Sequence, residues 1–223
     1  MKKKSLLKKI IAPVLIPVTK RYLRKERSSL FFGLNMTIPN GVFHPALFFS
    51  TKTMAQWLLQ QELKNLKVLE IGCGSGAISI LSAKQGALVT CCDINPTSVQ
   101  TTLKNAEKNQ VKLTCNHSDL FDKIEKIKFD LILNNPPYYP KNPATTEEHA
   151  WYAGEDFEYF KNLFHQSKEY LAPQAQLLLV LSDECNTTRI NEIANREGFD
   201  HQTIYNRSNF IEKTFIIEYK VGG

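Results

Sequence analysis

Two hydrophobic periods alternate along this chain from about residue 50 onwards. Short apolar runs that end at glycine, proline or asparagine indicate buried strands, and longer stretches with apolar positions three or four apart indicate helices. Strands are predicted at 66–71, 88–92, 111–115, 129–133, 176–181, 201–205 and 214–219. Helices are predicted from Ser50, as an N-cap before Met54, Ala55, Leu58 and Leu59, and at 76–84, 97–108, 156–171 and 187–197.

Strands that alternate with helices predict a mainly parallel sheet with helices on both faces. The last two strands are joined by a short loop, so they must pair antiparallel, because a parallel crossover needs a dozen or more residues. The sequence therefore predicts an α/β fold: a doubly wound, mainly parallel seven-stranded sheet with an antiparallel C-terminal hairpin.

The first part of the chain has a different character. Leu30–Met36 and Gly41–Phe43 resemble short strands about a turn at Pro39-Asn40-Gly41. We expect two units: residues 1–41, a basic extension with a short hairpin, and residues 42–223, the α/β domain.

The positive charge is concentrated in that extension. Residues 1–27 hold ten Lys and Arg against one Glu, a net +9, whereas the whole chain carries +6, so the remainder is −3. A cationic arm suggests contact with a polyanion such as RNA, DNA or an anionic membrane surface. A solvated terminus without a partner is the alternative.

Secretion and a membrane span are both disfavoured. The apolar stretch at 10–18 is short, contains two prolines and is followed by Lys20-Arg21 instead of a small-residue cleavage site. The five cysteines form no CxxC pair and no Cys/His ligand spacing, which favours reduced thiols in a cytoplasmic protein and no metal site.

A glycine-rich turn follows the first core strand. Gly72, Gly74 and Gly76 come directly after Glu70-Ile71 and open a helix, an arrangement that binds nucleotides at the carboxyl edge of such sheets. Asp93 ends the second strand, where a carboxylate can accept from both ribose hydroxyls, and Asp119 follows the third, where it can accept from an adenine amino group.

Two cofactors are compatible with this turn. Gly72, Gly74 and Ala77 also satisfy the dinucleotide fingerprint, with Asp93 as the ribose acid. Glu70, however, would repel a diphosphate and attract the zwitterionic tail of an amino acid. The pattern therefore favours S-adenosylmethionine over NAD.

Asn135-Pro136-Pro137-Tyr138 follows the strand at 129–133. Two prolines end the strand in a stiff turn, because each lacks an N–H and restricts the residue before it. Carbonyl oxygens beside an aromatic ring suit a planar NH2 group, with acceptors for its two hydrogens and a flat face for its π-system.

Together these motifs resemble the class I S-adenosylmethionine-dependent methyltransferases of the HemK/PrmC-like group, from about Val42 to Tyr219. The resemblance implies a cofactor site made of Thr51, Glu70, Gly72, Cys73, Gly74, Gly76, Asp93, Ile94, Asp119, Leu120 and Asn135. It implies catalytic roles for Asn135, Pro136 and Tyr138, and a substrate site made of Phe43, Pro137, Tyr138, Tyr139 and Trp151.

The resemblance leaves three functions open. The group methylates the side-chain amide of glutamine in release factors, and relatives act on RNA bases. The stretch 150–156 departs from the group's glycine-rich pattern at Glu155, and Phe157, the next residue, departs from it as well. The usual helical substrate domain is replaced by a short basic extension. We expect an N-methyltransferase for protein glutamine; the alternatives are an exocyclic amine of an RNA or DNA base, and an NAD-dependent enzyme or non-catalytic binding module.

Overall fold

The computed structural model describes residues 25–222. The predictions for the basic arm and for the apolar stretch at 10–18 therefore fall outside the described residues, except for the last three positions of the arm. Among residues 25–222, no helix combines the length and the hydropathy that are needed to cross a bilayer.

The described chain forms nine strands and five α-helices. The strands are β1 (Arg27–Phe31), β2 (Leu34–Ile38), β3 (Lys67–Ile71), β4 (Leu88–Asp93), β5 (Thr114–His117), β6 (Phe129–Asn134), β7 (Leu171–Ser182), β8 (Phe199–Ser208) and β9 (Lys213–Val221). The helices are α1 (Phe49–Leu58), α2 (Ala77–Lys84), α3 (Pro96–Lys108), α4 (Glu158–Ser167) and α5 (Thr187–Arg196), with a short 3-10 helix at Thr146–Ala150.

The main sheet has seven strands in the order β5-β4-β3-β6-β7-β9-β8. Strands β3 to β7 are mutually parallel, and β9 lies antiparallel to both β7 and β8. The predicted fold class is confirmed, including the antiparallel pair at the C-terminus.

Both faces of the sheet are buried. Along β7, Leu177, Leu179 and Leu181 join one apolar cluster with α4 and α5, whereas Leu178 and Val180 join a second cluster on the opposite face. This period of two in a continuous apolar run is what a central strand covered on both sides requires.

The N-terminal hairpin differs from the prediction. Its strands are β1 and β2, which turn at Phe32-Gly33, and Gly41–Phe43 is not a strand. The Pro39-Asn40-Gly41 signal marks the loop after the hairpin instead. The buried hairpin side chains Phe31, Leu34, Met36 and Ile38 belong to the same apolar cluster as the residues of α1 and α2, so the hairpin packs directly on the sheet domain.

Several boundaries also move. Helix α1 begins at Phe49 with Phe48 as its N-cap, so Ser50 lies inside the helix and does not cap it. Helix α4 ends at Ser167, well before the predicted 171, because Leu171 already belongs to the long strand β7. Strand β5 starts at Thr114, three residues later than predicted.

Candidate active site

The carboxyl ends of the central strands meet at one edge of the sheet. Ile71 of β3 is in register with Cys92 of β4 and with Asn134 of β6, and Asp93 is in register with His117 of β5. The segments that follow these residues must therefore lie side by side. One cavity at this edge is lined by the glycine turn, by Asp93 and by the Asn135–Tyr138 turn.

The glycine turn is anchored to the neighbouring strand. The N–H groups of Gly72 and Cys73 both donate to the carbonyl oxygen of Cys92, at 2.9 and 3.0 Å. Gly72 and Gly74 have φ of 70° and 56°, and both line the cavity. Positive φ is the conformation that glycine adopts without steric cost, so the sequence folds locally into this tight turn.

Gly76 was predicted to contact the cofactor, and the structure shows a role for it in helix packing. It is the N-cap of α2 with φ of 82°, and it is not among the cavity-lining residues. A Cβ built at Gly76 would lie 2.8 Å from Cγ2 of Thr102 and 3.1 Å from its Cα. Glycine is therefore required here because α2 and α3 approach each other closely.

Asp93 holds the turn and faces the cavity. One of its carboxylate oxygens accepts from the N–H of Gly74 and the other from the N–H of Asn95, each at 2.8 Å. Burial is the main cause that raises the pKa of the Asp93 carboxyl to about 7, although both backbone donors act in the opposite direction. Each oxygen keeps a lone pair for a further donor, such as a ribose hydroxyl.

Glu70 is buried on β3, one residue before the strand ends. The hydroxyl of Ser79 on α2 donates a short hydrogen bond to its carboxylate. Burial raises the pKa of Glu70 well above its usual value. A cationic group that entered the cavity beside Glu70 would favour the ionised carboxylate, as an α-ammonium would.

A buried hydroxyl supports the fit of a polar ligand. Thr51 lies in the first turn of α1 and lines the cavity, and its Oγ1 is buried without a hydrogen-bond partner in the described structure. Buried polar groups are seldom left unsatisfied, so a bound carboxylate or ammonium would complete this one. The residues present therefore fit S-adenosylmethionine.

The predicted catalytic turn begins where β6 ends. Asn134 is the last residue of β6 and is used structurally: its Nδ2 donates to the Ile71 carbonyl at 2.8 Å, and its Oδ1 accepts from the hydroxyl of Tyr159 at 3.2 Å. Asn135 is half-buried and lines the cavity, and its side-chain amide forms no hydrogen bond with another described residue. Asn134 thus fixes the turn and leaves the Asn135 amide available.

The two tyrosines of the turn diverge. Tyr138 lines the cavity, and burial raises the pKa of its hydroxyl to about 12, so it is neutral at physiological pH. Tyr139 lies outside the cavity lining, and its hydroxyl donates to a carboxylate oxygen of Glu184 at 2.8 Å. The structure therefore does not bring the predicted substrate residue Tyr139 into the site.

Three aromatic residues of the cavity lining contact one another. The rings of Phe43 and Phe48 are stacked with centroids 3.9 Å apart, and Trp151 contacts both, at 5.9 and 5.5 Å. The segment that carries Trp151 is held in place because Tyr139 exchanges backbone hydrogen bonds with Trp151 and Ala153. Trp151 is 37% exposed, so it offers an apolar face to an incoming substrate.

Most of the predicted site residues line this one cavity. Ile94, Asp119, Leu120, Cys73, Pro136 and Pro137 do so together with those described above; Gly76 and Tyr139 do not. Sequence reasoning missed Phe48, Asn134, Tyr159 and the 3-10 helix residues Thr146, Glu147 and His149. Of these, only Asn134 carried a usable signal, as the polar residue that closes an apolar strand.

Three of the five cysteines lie close together in the fold. All five are free thiols, but the sulfur atoms of Cys73, Cys91 and Cys115 lie within 4.8 Å of one another. Their spacing along the chain gave no sign of this cluster.

Comparison with known proteins finds methyltransferases. A release factor glutamine methyltransferase from Streptococcus pneumoniae is 29% identical over 162 residues, which are 67% of this chain and 57% of the relative. A tRNA1(Val) (adenine(37)-N6)-methyltransferase from a Flavobacteriaceae bacterium is 26% identical over 158 residues, 68% of each protein. The chain spans only 34% and 40% of two further release factor methyltransferases, from Fusobacterium nucleatum and Flavobacterium psychrophilum.

The fold is shared with a crystal structure of a methyltransferase from Pyrococcus furiosus. That structure has a TM-score of 0.64 and 20% sequence identity, and the match covers 100% of this chain and 98% of that one. The family model described as methyltransferase small domain matches residues 34–210. This match confirms the predicted enzyme class and its cofactor, S-adenosylmethionine, and it disfavours the NAD-dependent alternative. The chain belongs to the methyltransferase small domain family.

Proposed function

We propose that this methyltransferase acts on the side-chain amide nitrogen of a glutamine in a protein. The observation that carries the proposal is the position of the Asn135 amide, which has no hydrogen-bond partner among the described residues and shares one cavity with the glycine turn and Asp93. A planar NH2 group needs two acceptors and a flat contact surface, and the Asn135–Tyr138 turn offers both.

Different residues of the cavity would bind different parts of the cofactor. Glu70 and Thr51 would hold the amino-acid end of S-adenosylmethionine, Asp93 the ribose, and Asp119 with Leu120 the adenine. When bound, the cofactor supplies an electrophilic methyl group on a sulfonium sulfur, which leaves as a neutral thioether. Gly76 and Tyr139 do not line the cavity, so this assignment leaves them out.

The chain's own residues address the weakness of the nucleophile. An amide nitrogen is a poor nucleophile because its lone pair is delocalised into the carbonyl group. Oδ1 of Asn135 and the carbonyl oxygen of Pro136 would accept its two N–H bonds, which favours a pyramidal nitrogen and the positive charge that develops on it. Tyr138 would contact the planar face of the amide. Holding both reactants in line can supply about 7–11 kcal/mol of the barrier reduction.

A second candidate is the exocyclic amine of an RNA base. Such an amine is also planar and fits the same acceptors, so the turn alone does not separate the two. The observations in favour are the net charge of +9 in residues 1–27 and the likeness to the tRNA adenine-N6 enzyme over 68% of both chains. The likeness to several release factor methyltransferases favours the glutamine substrate. A cytoplasmic location fits either substrate and the five free thiols.

The deciding experiment is transfer of a tritiated methyl group from S-adenosylmethionine by the full chain. Purified release factors, total rRNA and total tRNA are offered separately, and Asn135→Ala serves as the inactive control. We expect label in the protein fraction and one methyl group on a glutamine by mass spectrometry. Label in RNA alone would replace the first candidate by the second, and label in neither fraction would contradict both.

A further inference from the structure

Three cysteine thiols converge beside the cofactor cavity. Cys73 belongs to the glycine turn, Cys91 to β4 and Cys115 to β5. Their sulfur atoms lie within 4.8 Å of one another, and those of Cys73 and Cys115 are 3.8 Å apart. Cys73 also lines the cofactor cavity, but the proposed methyl transfer assigns no chemical role to the three thiols.

Sheet register brings the three together. Cys91 and Cys115 are direct partners in the parallel pair of β4 and β5. Cys73 lies near them because the glycine turn is hydrogen-bonded to the end of β4, where the N–H groups of Gly72 and Cys73 donate to the carbonyl of Cys92. The cluster is thus held by the same backbone contacts that shape the cofactor site.

The spacing of the sulfur atoms suits a metal ion. Zinc–thiolate bonds of about 2.3 Å in tetrahedral geometry place neighbouring sulfur atoms about 3.8 Å apart. Cys73 and Cys115 already have this separation, 3.8 Å. The third sulfur needs a shift of about 1 Å or less from the observed limit of 4.8 Å, which a small rotation about χ1 provides.

The donor set selects a soft cation. The cluster contains three sulfur atoms and no imidazole or carboxylate ligand, and thiolates favour Zn²⁺ and Cu⁺ over harder ions such as Mg²⁺. Three thiolates leave a net charge of −1 with Zn²⁺ and −2 with Cu⁺. Glu70 is the register partner of Cys91 on β3 and Asp93 follows Cys91 by two residues on β4, so two carboxyl groups lie near the cluster and the smaller residual negative charge is favoured.

We propose that Cys73, Cys91 and Cys115 form a three-thiolate Zn²⁺ site that braces the glycine turn. Cys115 is partly exposed and the other two cysteines are buried, so a fourth ligand would come from solvent on the side of Cys115. Binding displaces the thiol protons, so the reaction is three thiols plus Zn²⁺ giving the tris-thiolate complex and three protons. The site is independent of which nitrogen the enzyme methylates.

The test uses Co²⁺ as a spectroscopic probe of the full chain. The protein is kept reduced, and its metal is removed with a chelator that is itself removed before Co²⁺ is added. We expect one Co²⁺ per chain with thiolate-to-cobalt charge-transfer absorption, displaced by one equivalent of Zn²⁺. Cys115→Ser should weaken binding by more than about 100-fold, since even outer partners of metal ligands account for 10–100-fold. Cys185→Ser is the matched control, a half-buried thiol outside the cluster, and should bind as the wild type does.

A measurement on the wild-type protein covers the case in which Cys115→Ser fails to fold. Alkylation followed by peptide mass spectrometry should show Zn²⁺ protecting Cys115, the partly exposed member of the cluster, and leaving Cys185, which is also partly exposed, reactive. Equal affinity in the wild type and Cys115→Ser, protection of Cys185 instead, or no charge-transfer band would overturn the site. Copper without zinc in the metal content of the protein as purified from cells would overturn the choice of metal.

Discussion

Asn105 on α3 binds the backbone of Thr37 on β2 with both ends of its side-chain amide. Its Oδ1 accepts from the Thr37 N–H at 2.8 Å, and its Nδ2 donates to the Thr37 carbonyl at 3.0 Å. Asn109, one helical turn later, holds the backbone of Asn35 in the same way. The two asparagine side chains thus pair with backbone N–H and carbonyl groups on the outer edge of β2, which a neighbouring strand would otherwise have to satisfy.

Asn105→Ala tests this clamp. The variant leaves the N–H and the carbonyl of Thr37 without their partner, and also the Ser75 carbonyl, which accepts from Asn105 at 3.0 Å. Each buried unsatisfied group costs about 1–3 kcal/mol, so we expect a loss of about 3 kcal/mol in the free energy of unfolding, measured with urea. Lys104→Ala, an exposed position on the same helix, should change it by less than about 0.5 kcal/mol. A small effect at Asn105 would mean that water replaces the clamp.

Gly76→Ala tests whether position 76 needs glycine because of backbone strain alone or also because of a steric clash. The φ at Gly76 is 82°, and a Cβ there would meet Thr102 at 2.8 Å. Gly198 has nearly the same φ, 81°, but open space around the added atom. Left-handed strain alone costs about 1 kcal/mol, and the clash adds about 1–3 kcal/mol, so Gly76→Ala should be clearly less stable than Gly198→Ala in thermal unfolding. Equal losses would show that α2 and α3 separate without cost.

Asn135→Ala tests the acceptor assigned to the methylated nitrogen. Its Oδ1 would stabilise charge that develops only in the transition state, and removing one such group typically lowers kcat by about 10²–10³. Affinity for S-adenosylhomocysteine, measured by calorimetry, should remain close to that of the wild type, because Thr51, Glu70 and Asp93 are unchanged. Asn206→Ala, an exposed asparagine on β8, is the matched control. Normal turnover by Asn135→Ala would refute its role.

Glu197 provides a test of pH-dependent stability. The ammonium of Lys168, 2.7 Å from its carboxylate, is the main cause that lowers the pKa of Glu197, and His165 at 3.2 Å adds to it. A carboxyl with a lowered pKa in the folded state stabilises the protein above the ordinary value of 4.5, and this contribution is lost as the pH falls below it.

Glu197→Gln should therefore be less stable than the wild type at pH 7 and equal to it near pH 3. The ion pair is partly exposed to solvent, so we expect a difference below about 1 kcal/mol, measured from urea midpoints across the pH range. Glu125→Gln, at an exposed position, is the control. A difference that persists at low pH would show that the carboxylate does not account for it.

Removal of residues 1–24 tests the basic arm. That stretch holds eight Lys and Arg and no acidic residue. If the arm contacts RNA, its deletion should weaken binding to tRNA and make the dependence on salt less steep, because fewer counterions are released. Affinity for S-adenosylhomocysteine should not change. RNA affinity that is unaffected at every salt concentration would show that the arm does not serve nucleic acid.

The sequence by itself determined the sheet domain and the location of the cavity. Hydrophobic period and turn residues are local signals, and they predicted all seven strands of the sheet and the antiparallel closing pair. The positions of Glu70, Asp93 and Asn135 follow from the same signals, because each lies at or near the carboxyl end of a parallel strand. Such ends share one edge of the sheet, whatever the details of packing.

Only the tertiary structure decided which distant residues touch. The clamp between Asn105 and Thr37 joins residues 68 positions apart, and the contact of Cys73 with Cys115 joins residues 42 apart. The close approach of Gly76 to Thr102 and the hydrogen bond from Tyr139 to Glu184 also join distant parts of the chain. Each contact depends on how two segments pack against each other. Periodicity reports only which face of an element is buried, and packing between elements selects the partner on that face.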